Sequence, residues 1–122
     1  MRTIRLLLVD DNREYLEAAT ALLKSQPEIE IVGSALTGQE ALELVPQTHP
    51  DVVLLDLLMP EMNGLEVAKR LKAEANPPRI IIVTLEDQNV FQEVATAHGA
   101  DGFLSKLSIP TELLTMLHSL CE

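Results

Sequence analysis

The chain has 122 residues, which fits one compact domain with a single core, and nearly half of them are apolar. Nineteen Asp and Glu against nine Lys and Arg give a formal net charge of −10. A field of that sign repels a phosphate backbone, and Tyr15, Phe91 and Phe103 are too few aromatics for a base-stacking surface, so direct nucleic-acid binding by this chain is excluded. The single cysteine, Cys121, makes neither an intramolecular disulfide nor a zinc cluster and suits a reducing compartment. The apolar opening Ile4-Arg5-Leu6-Leu7-Leu8-Val9 runs straight into Asp10-Asp11-Asn12-Arg13-Glu14, too short for a signal peptide. No run approaches the roughly 18 apolar residues of a membrane span, so the expected setting is cytoplasmic, without a membrane partner.

Five short apolar runs follow one another at regular intervals: 4–9, 29–33, 52–55, 80–83 and 102–104. Helical stripes separate them. Leu16, Ala19 and Leu23 form the first; Ala41, Leu44 and Val45 the second; Leu65, Ala68 and Leu71 the third. Val90 or Phe91 with Val94 and Ala95 form the fourth, and Leu113 or Leu114 with Leu117 and Leu120 the fifth. Pro27, His49-Pro50, Pro77-Pro78 and Gly99 punctuate the ends of the first four helices, and Pro110 suits the first turn of the last. The expected fold is therefore α/β, a (βα)5 doubly wound parallel five-stranded sheet in one domain spanning 1–122. The common order for five such strands is 2-1-3-4-5, with a ligand crevice at the carboxyl ends of strands 1 and 3. Runs such as Val52–Leu55 and Ile80–Val83 are apolar on both faces, as strands covered by helices on both sides must be.

That topology puts polar residues together. Strand 1 ends in Asp10-Asp11 and strand 3 in Asp56, on neighbours about 4.8 Å apart. Two carboxylates about 4 Å apart repel by roughly 4 kcal/mol at an effective dielectric of about 20. Three require a cation or protons, and a hard, oxygen-preferring ion such as Mg2+ is the natural one. Thr84 closes strand 4 and Lys106 follows strand 5, and a lysine stem can carry its ammonium over the crevice. Lys106 and the cation offset the charge of a phosphoryl group, Thr84 offers it a hydroxyl, and Asp56, on the central strand, is the carboxylate nucleophile.

Asp10-Asp11, the run Asp56-Leu57-Leu58-Met59-Pro60-Glu61-Met62-Asn63-Gly64, Thr84 and Gly102-Phe103-Leu104-Ser105-Lys106 together resemble the signature of response-regulator receiver domains, over the whole chain and in the right order. The resemblance implies a flavodoxin-like fold, a phosphoacceptor at Asp56, and Mg2+ held by Asp10, Asp11, Asp56 and the backbone carbonyl of Leu58. It also implies a coupled switch pair, Thr84 and Phe103, with Lys106 as counter-ion to the phosphate. The implied partner is a sensor histidine kinase or phosphotransfer protein, and the protein is regulatory, with only self-directed phosphoryl transfer. Homodimers through helix 4, strand 5 and helix 5, or through helices 1 and 5, are further implications. So is a phosphorylation-dependent partner surface that includes Val90, Phe91 and the 106–110 loop. The tail Lys106-Leu107-Ser108-Ile109-Pro110-Thr111-Glu112-Leu113 is similar to that of the NarL/FixJ group, whose members usually carry a helix-turn-helix DNA-binding domain after the receiver; DNA contact and control of transcription would then belong to a segment outside this chain.

Two positions depart from the pattern. Leu85 stands where the family usually has a small residue, which narrows the phosphorylation pocket, and Leu107 replaces the proline that commonly follows the lysine. Singly, each feature has a plainer reading: Asp10-Asp11-Asn12 as a helix cap, Asp56 as a turn residue, Phe103 as core, and His49, His98 and His118 as structural or solvated. Their coincidence at strand ends favours the functional reading. A haloacid-dehalogenase-type phosphatase wants a second Asp where Leu58 stands, and a flavin carrier wants a Ser/Thr/Gly-rich loop where Asp10-Asp11-Asn12 stands. The alternative with support is a pseudo-receiver, an interaction module working without phosphorylation, and Leu85 is its only support.

Overall fold

The structure is a computed structural model that describes residues 3–85 and 88–121, with the side chains of 88–92 outside the description. Five strands, β1 (Ile4–Val9), β2 (Ile29–Ala35), β3 (Val52–Asp56), β4 (Arg79–Thr84) and β5 (Gly102–Ser105), alternate with five helices. The helices are α1 (Arg13–Lys24), α2 (Gly38–Thr48), α3 (Gly64–Lys72), α4 (Gln88–Ala97) and α5 (Ile109–Cys121). All strands pair in parallel, in the order β2-β1-β3-β4-β5, as expected for a doubly wound sheet.

The period-two alternation of the strands divides the core. Leu6, Leu8, Val52, Leu54, Ile81, Val83 and Leu104 face α1 and α5, meeting Leu16, Ala19, Leu23, Leu113 and Leu117. Leu7, Val9, Val53, Leu55, Ile80 and Ile82 face the other way, onto Ala41 of α2, Val67, Ala68 and Leu71 of α3, and Ala95 of α4. Fully apolar strands are thus explained by two-sided burial. Leu44, Val45 and Leu65, expected to line helix stripes, are only partly buried, and Val94 is exposed. Val90 and Phe91 have side chains outside the described residues.

Strand ends run further than the apolar runs. β2 continues through Ser34 and Ala35, which pair with Leu8 and Val9, because backbone pairing does not need an apolar side chain at an edge strand. At the other end of the sheet, the Arg5 side chain donates from Nη2 to the carbonyl of Thr48 and from Nε to that of His49, closing the C-terminal turn of α2. His49 itself takes the left-handed conformation there (φ 49°). Asp51 accepts from the Arg5 backbone N–H and Asp101 from that of Ile80, so the N-terminal ends of β1 and β4 are tied to the loops that lead into the neighbouring strands β3 and β5. This end is held by structural contacts, and the polar residues singled out from the sequence lie at the opposite one.

Candidate functional site

β1 and β3 are neighbours in register, Val9 opposite Leu55, so the residues just beyond them share one crevice. Asp10 is 2% exposed and Asp56 6%, while Asp11 is open to solvent. One carboxylate oxygen from each of Asp10, Asp11 and Asp56 lies within 4.8 Å of the other two. Asp10 is fixed from several sides: its N–H donates to the Ala35 carbonyl, and its Oδ1 accepts the Asn12 N–H at 2.9 Å. Asn12 caps α1, its Oδ1 accepting from the Tyr15 N–H at 3.1 Å. The plain capping reading of this segment therefore holds for Asn12, and leaves both Asp carboxylates to the crevice.

Asp56 is aimed by the loop that follows it. The Leu57 N–H donates to the Val83 carbonyl, extending the β3–β4 ladder, and the Gly64 N–H donates back to the Leu57 carbonyl at 2.9 Å. Asn63 caps α3 through the Glu66 N–H, and Glu61 takes a left-handed conformation (φ 68°) to turn the chain between them. Within this loop Leu57 and Met59 are buried, whereas the Leu58 side chain is half-exposed.

Lys106 opens a single 3-10 turn (Lys106–Ser108) after β5. Its Nζ reaches across the crevice to stand 2.5 Å from Asp10 Oδ2 and 3.5 Å from Asp56 Oδ1. The lysine stem thus carries the ammonium over the crevice as expected, with the closer partner being Asp10. Burial pushes the Asp56 carboxyl up to about 6, reinforced by the negative charge of Asp10 and opposed by Lys106. Three carboxylates against one ammonium leave two negative charges in a small volume. An all-oxygen donor set with that residual charge fits a hard divalent cation such as Mg2+ and offers nothing to a thiophilic one.

Thr84 ends β4 and is 1% exposed. Its register partner is Ser105, while Phe103 pairs with Ile82. By alternation Thr84 and Phe103 therefore lie on the same face of the sheet, one diagonal step apart, and Phe103 is partly buried against the α2–α3–α4 side of the core. Leu85 next to Thr84 is 68% exposed, so its side chain is turned toward solvent and not packed inside. Leu107, next to Lys106, is exposed as well.

One participant is not suggested by the sequence pattern. The ring of Tyr15, in the first turn of α1, lies under the Lys106 ammonium, 4.3 Å from ring centroid to Nζ. Burial, followed by the charges of Asp10 and Asp56, pushes the Tyr15 hydroxyl up to about 12, so it stays protonated beside the carboxylates. No motif spacing relates residues on the first helix and after the last strand; only the scarcity of aromatics hints that a lone tyrosine beside the acidic pair has a use. His118, read from the sequence as structural or solvated, bonds Glu28 at 2.5 Å at the far end of the molecule.

Residues 6–118 match the family model of the response regulator receiver domain. The chain is 36% identical over 113 residues to the nitrate/nitrite response regulator protein NarL of Escherichia coli, covering 93% of this chain and 52% of that protein. It is 37% identical over 112 residues to the transcriptional regulatory protein LiaR of Bacillus subtilis, covering 90% and 52% respectively. The chain spans about half the length of these curated relatives. Among solved structures, the signal receiver domain of a NarL response regulator from Mycobacterium tuberculosis matches with a TM-score of 0.89 at 32% identity, covering 98% of this chain and 96% of that one. Fold, crevice and sequence thus agree, and this chain belongs to the response regulator receiver domains of two-component systems.

Proposed function

We propose that residues 1–122 form one receiver unit in which Asp56 accepts a phosphoryl group from a phosphohistidine on a sensor kinase or phosphotransfer protein. The observation that carries this reading is the placement of the Asp56 carboxylate. It is buried at the end of the central strand, 3.5 Å from the Lys106 ammonium and grouped with Asp10 and Asp11. Asp10, Asp11, Asp56 and the Leu58 carbonyl would hold Mg2+, which when bound offsets the charge that builds on the transferring phosphoryl oxygens. Asp56 attacks phosphorus, a P–O bond forms as the P–N bond breaks, and the electron pair returns to the imidazole nitrogen. Lys106 binds the phosphoryl oxygens and Thr84 donates its hydroxyl to them.

The group so gained adds roughly one to two negative charges at neutral pH. Movement of Thr84 toward it vacates space on the face it shares with Phe103, and inward rotation of Phe103 reshapes the α4–β5–α5 surface. Partner binding or homodimerisation through that surface, or through α1 and α5, would pass the signal on. Similarity to NarL and LiaR supports a DNA-binding output domain in the full-length protein and control of transcription. The chain's own chemistry is then self-directed, without turnover of an external substrate.

The test is incubation with Mg2+ and acetyl phosphate. The expected result is a mass gain of one phosphoryl group, removed by hydroxylamine and absent from Asp56→Asn. A folded protein that gains no mass and shows no beryllofluoride-dependent NMR changes at Thr84 or Phe103 would instead be an interaction module working without phosphorylation. The exposure of Leu85 weighs against the crowding that favoured this second reading.

A further inference from the structure

We infer that Tyr15 is a positioning residue for Lys106. It holds the ammonium over the crevice by the face of its ring, so that a phosphoryl group arriving at Asp56 meets a cation already in place. The inference rests on Asp56 being the phosphoacceptor.

Among the described residues Lys106 Nζ has three partners: Asp10 Oδ2 at 2.5 Å, Asp56 Oδ1 at 3.5 Å and the Tyr15 ring centroid at 4.3 Å. The two carboxylates cannot be lasting anchors, since both are candidate cation ligands and one is to become an acyl phosphate. The ring is the partner that persists through such a change. A π-face attracts a cation through its quadrupole, without a formal negative charge of its own. It therefore confines the ammonium while leaving its charge undiminished for the phosphoryl oxygens. Lys106 has 12% of its side chain exposed, which places this contact out of bulk water, where it is strongest.

Tyr15 is well set for the role. It occupies the first turn of α1, where the Asn12 cap holds its backbone N–H, and its ring also packs on Leu16-side core residues. It is the only tyrosine in the chain, and there is no tryptophan to substitute for it.

The experiment compares Tyr15→Leu, which keeps an apolar side chain of similar bulk, with Tyr15→Phe, which keeps the ring and removes the hydroxyl. The first readout needs no phosphodonor: the Lys106 ε-methylene NMR signals, identified by their loss in Lys106→Met, are displaced upfield of those of the other lysines by the ring current. Displacement is expected in the wild type and in Tyr15→Phe and lost in Tyr15→Leu. The second readout is the rate of phosphorylation by acetyl phosphate with Mg2+. Tyr15→Leu is expected to be about fivefold slower, the rate equivalent of a cation–π contact worth ~1 kcal/mol. Tyr15→Phe is expected within twofold of wild type, and Tyr15→Leu should have no further effect in a Lys106→Met background. An undisplaced Lys106 signal in the wild type, or equal losses of rate in Tyr15→Phe and Tyr15→Leu, would overturn the proposal. Absence of any phosphorylation in the wild type, with the Lys106 signal displaced, would instead overturn the phosphoacceptor reading on which the inference rests.

Discussion

A Cβ placed on Gly64 would lie 2.3 Å from the carbonyl oxygen of Asp56. The first residue of α3 is thus pressed against the backbone of the proposed phosphoacceptor, a distance only a glycine hydrogen tolerates. Its N–H meanwhile bonds the Leu57 carbonyl, so α3 and the end of β3 are held together through two adjacent peptide units. The clash is with backbone and cannot be relieved by rotating a side chain. Gly64→Ala is expected to cost about 2–3 kcal/mol by urea denaturation and to weaken Mg2+ binding, because Asp56 must move with its carbonyl. Gly33→Ala is the useful contrast. Its Cβ would meet only the Leu7 Cδ1, at 3.3 Å, and a loss below about 1 kcal/mol is expected. Equal losses for the two glycines would contradict the view that Gly64 is there to place Asp56.

The burial that makes Asp56 available only through the crevice also makes its charge expensive. With the carboxyl pushed up to about 6 in the fold and near its ordinary value in the unfolded chain, the native state holds more protons between about pH 4 and 6. Stability of the metal-free protein therefore falls as pH rises through that window and levels off above it. The contribution of this one group is on the order of 2–3 kcal/mol at most. Asp56→Asn removes it. Measured in EDTA, the variant is expected to be more stable than wild type at pH 7.5 by on the order of 2 kcal/mol, with the advantage gone at pH 4. Added Mg2+ should stabilise wild type and narrow the gap. A variant equally or less stable than wild type at pH 7.5 would show that Lys106 already compensates the buried charge.

Much of this architecture was legible in the residues, for identifiable reasons. Two-sided burial leaves unbroken apolar runs, as in Val52–Leu55 and Ile80–Val83, and the switch point of a doubly wound sheet then assigns Asp10 and Asp56 to one crevice. Lys106 was within reach because a strand spacing and a lysine stem have known lengths. What the pattern did not disclose depends on contacts distant in sequence or on backbone geometry. The preference of Lys106 for Asp10 over Asp56 is a matter of an ångström, and the ring of Tyr15 beneath it follows from how α1 is docked. Leu85 looked obstructive because its size is visible in sequence and its direction is not; the chain leaving β4 buries Thr84 and turns Leu85 outward.

That exposure alters what Leu85→Ala should do. A side chain 68% exposed has little packing to lose, so stability is expected to change by less than about 0.5 kcal/mol. Phosphorylation by acetyl phosphate, a small donor, should change less than about twofold, since an interaction under ~0.4 kcal/mol has that effect on a rate. A large acceleration would mean that Leu85 swings over the crevice in solution.

The contact of Lys106 with Asp10 leads to a prediction in which two properties of the site move in opposite directions. The ammonium occupies Asp10 Oδ2, and Asp10 is one of the three carboxylates grouped for a divalent cation, so the two positive charges compete for the same residue. Removing the ammonium in Lys106→Met leaves three carboxylates with no internal counter-charge. Two unit charges about 4 Å apart interact by roughly 4 kcal/mol at an effective dielectric of about 20, and even a small fraction of that is a measurable change in affinity. Mg2+ binding is expected to tighten at least about threefold in Lys106→Met, the equivalent of ~0.65 kcal/mol. The measurement is best made at about pH 8 or above, because burial and Asp10 raise the Asp56 pKa and loss of Lys106 raises it further. With no tryptophan in the chain, the fluorescence of Tyr15 reports directly on the crevice during the titration. Phosphorylation should move the other way, falling by about a hundredfold as the group that stabilises the phosphoryl oxygens is lost. Weaker Mg2+ binding in Lys106→Met would mean that the lysine organises the acidic cluster for the cation and does not compete with it.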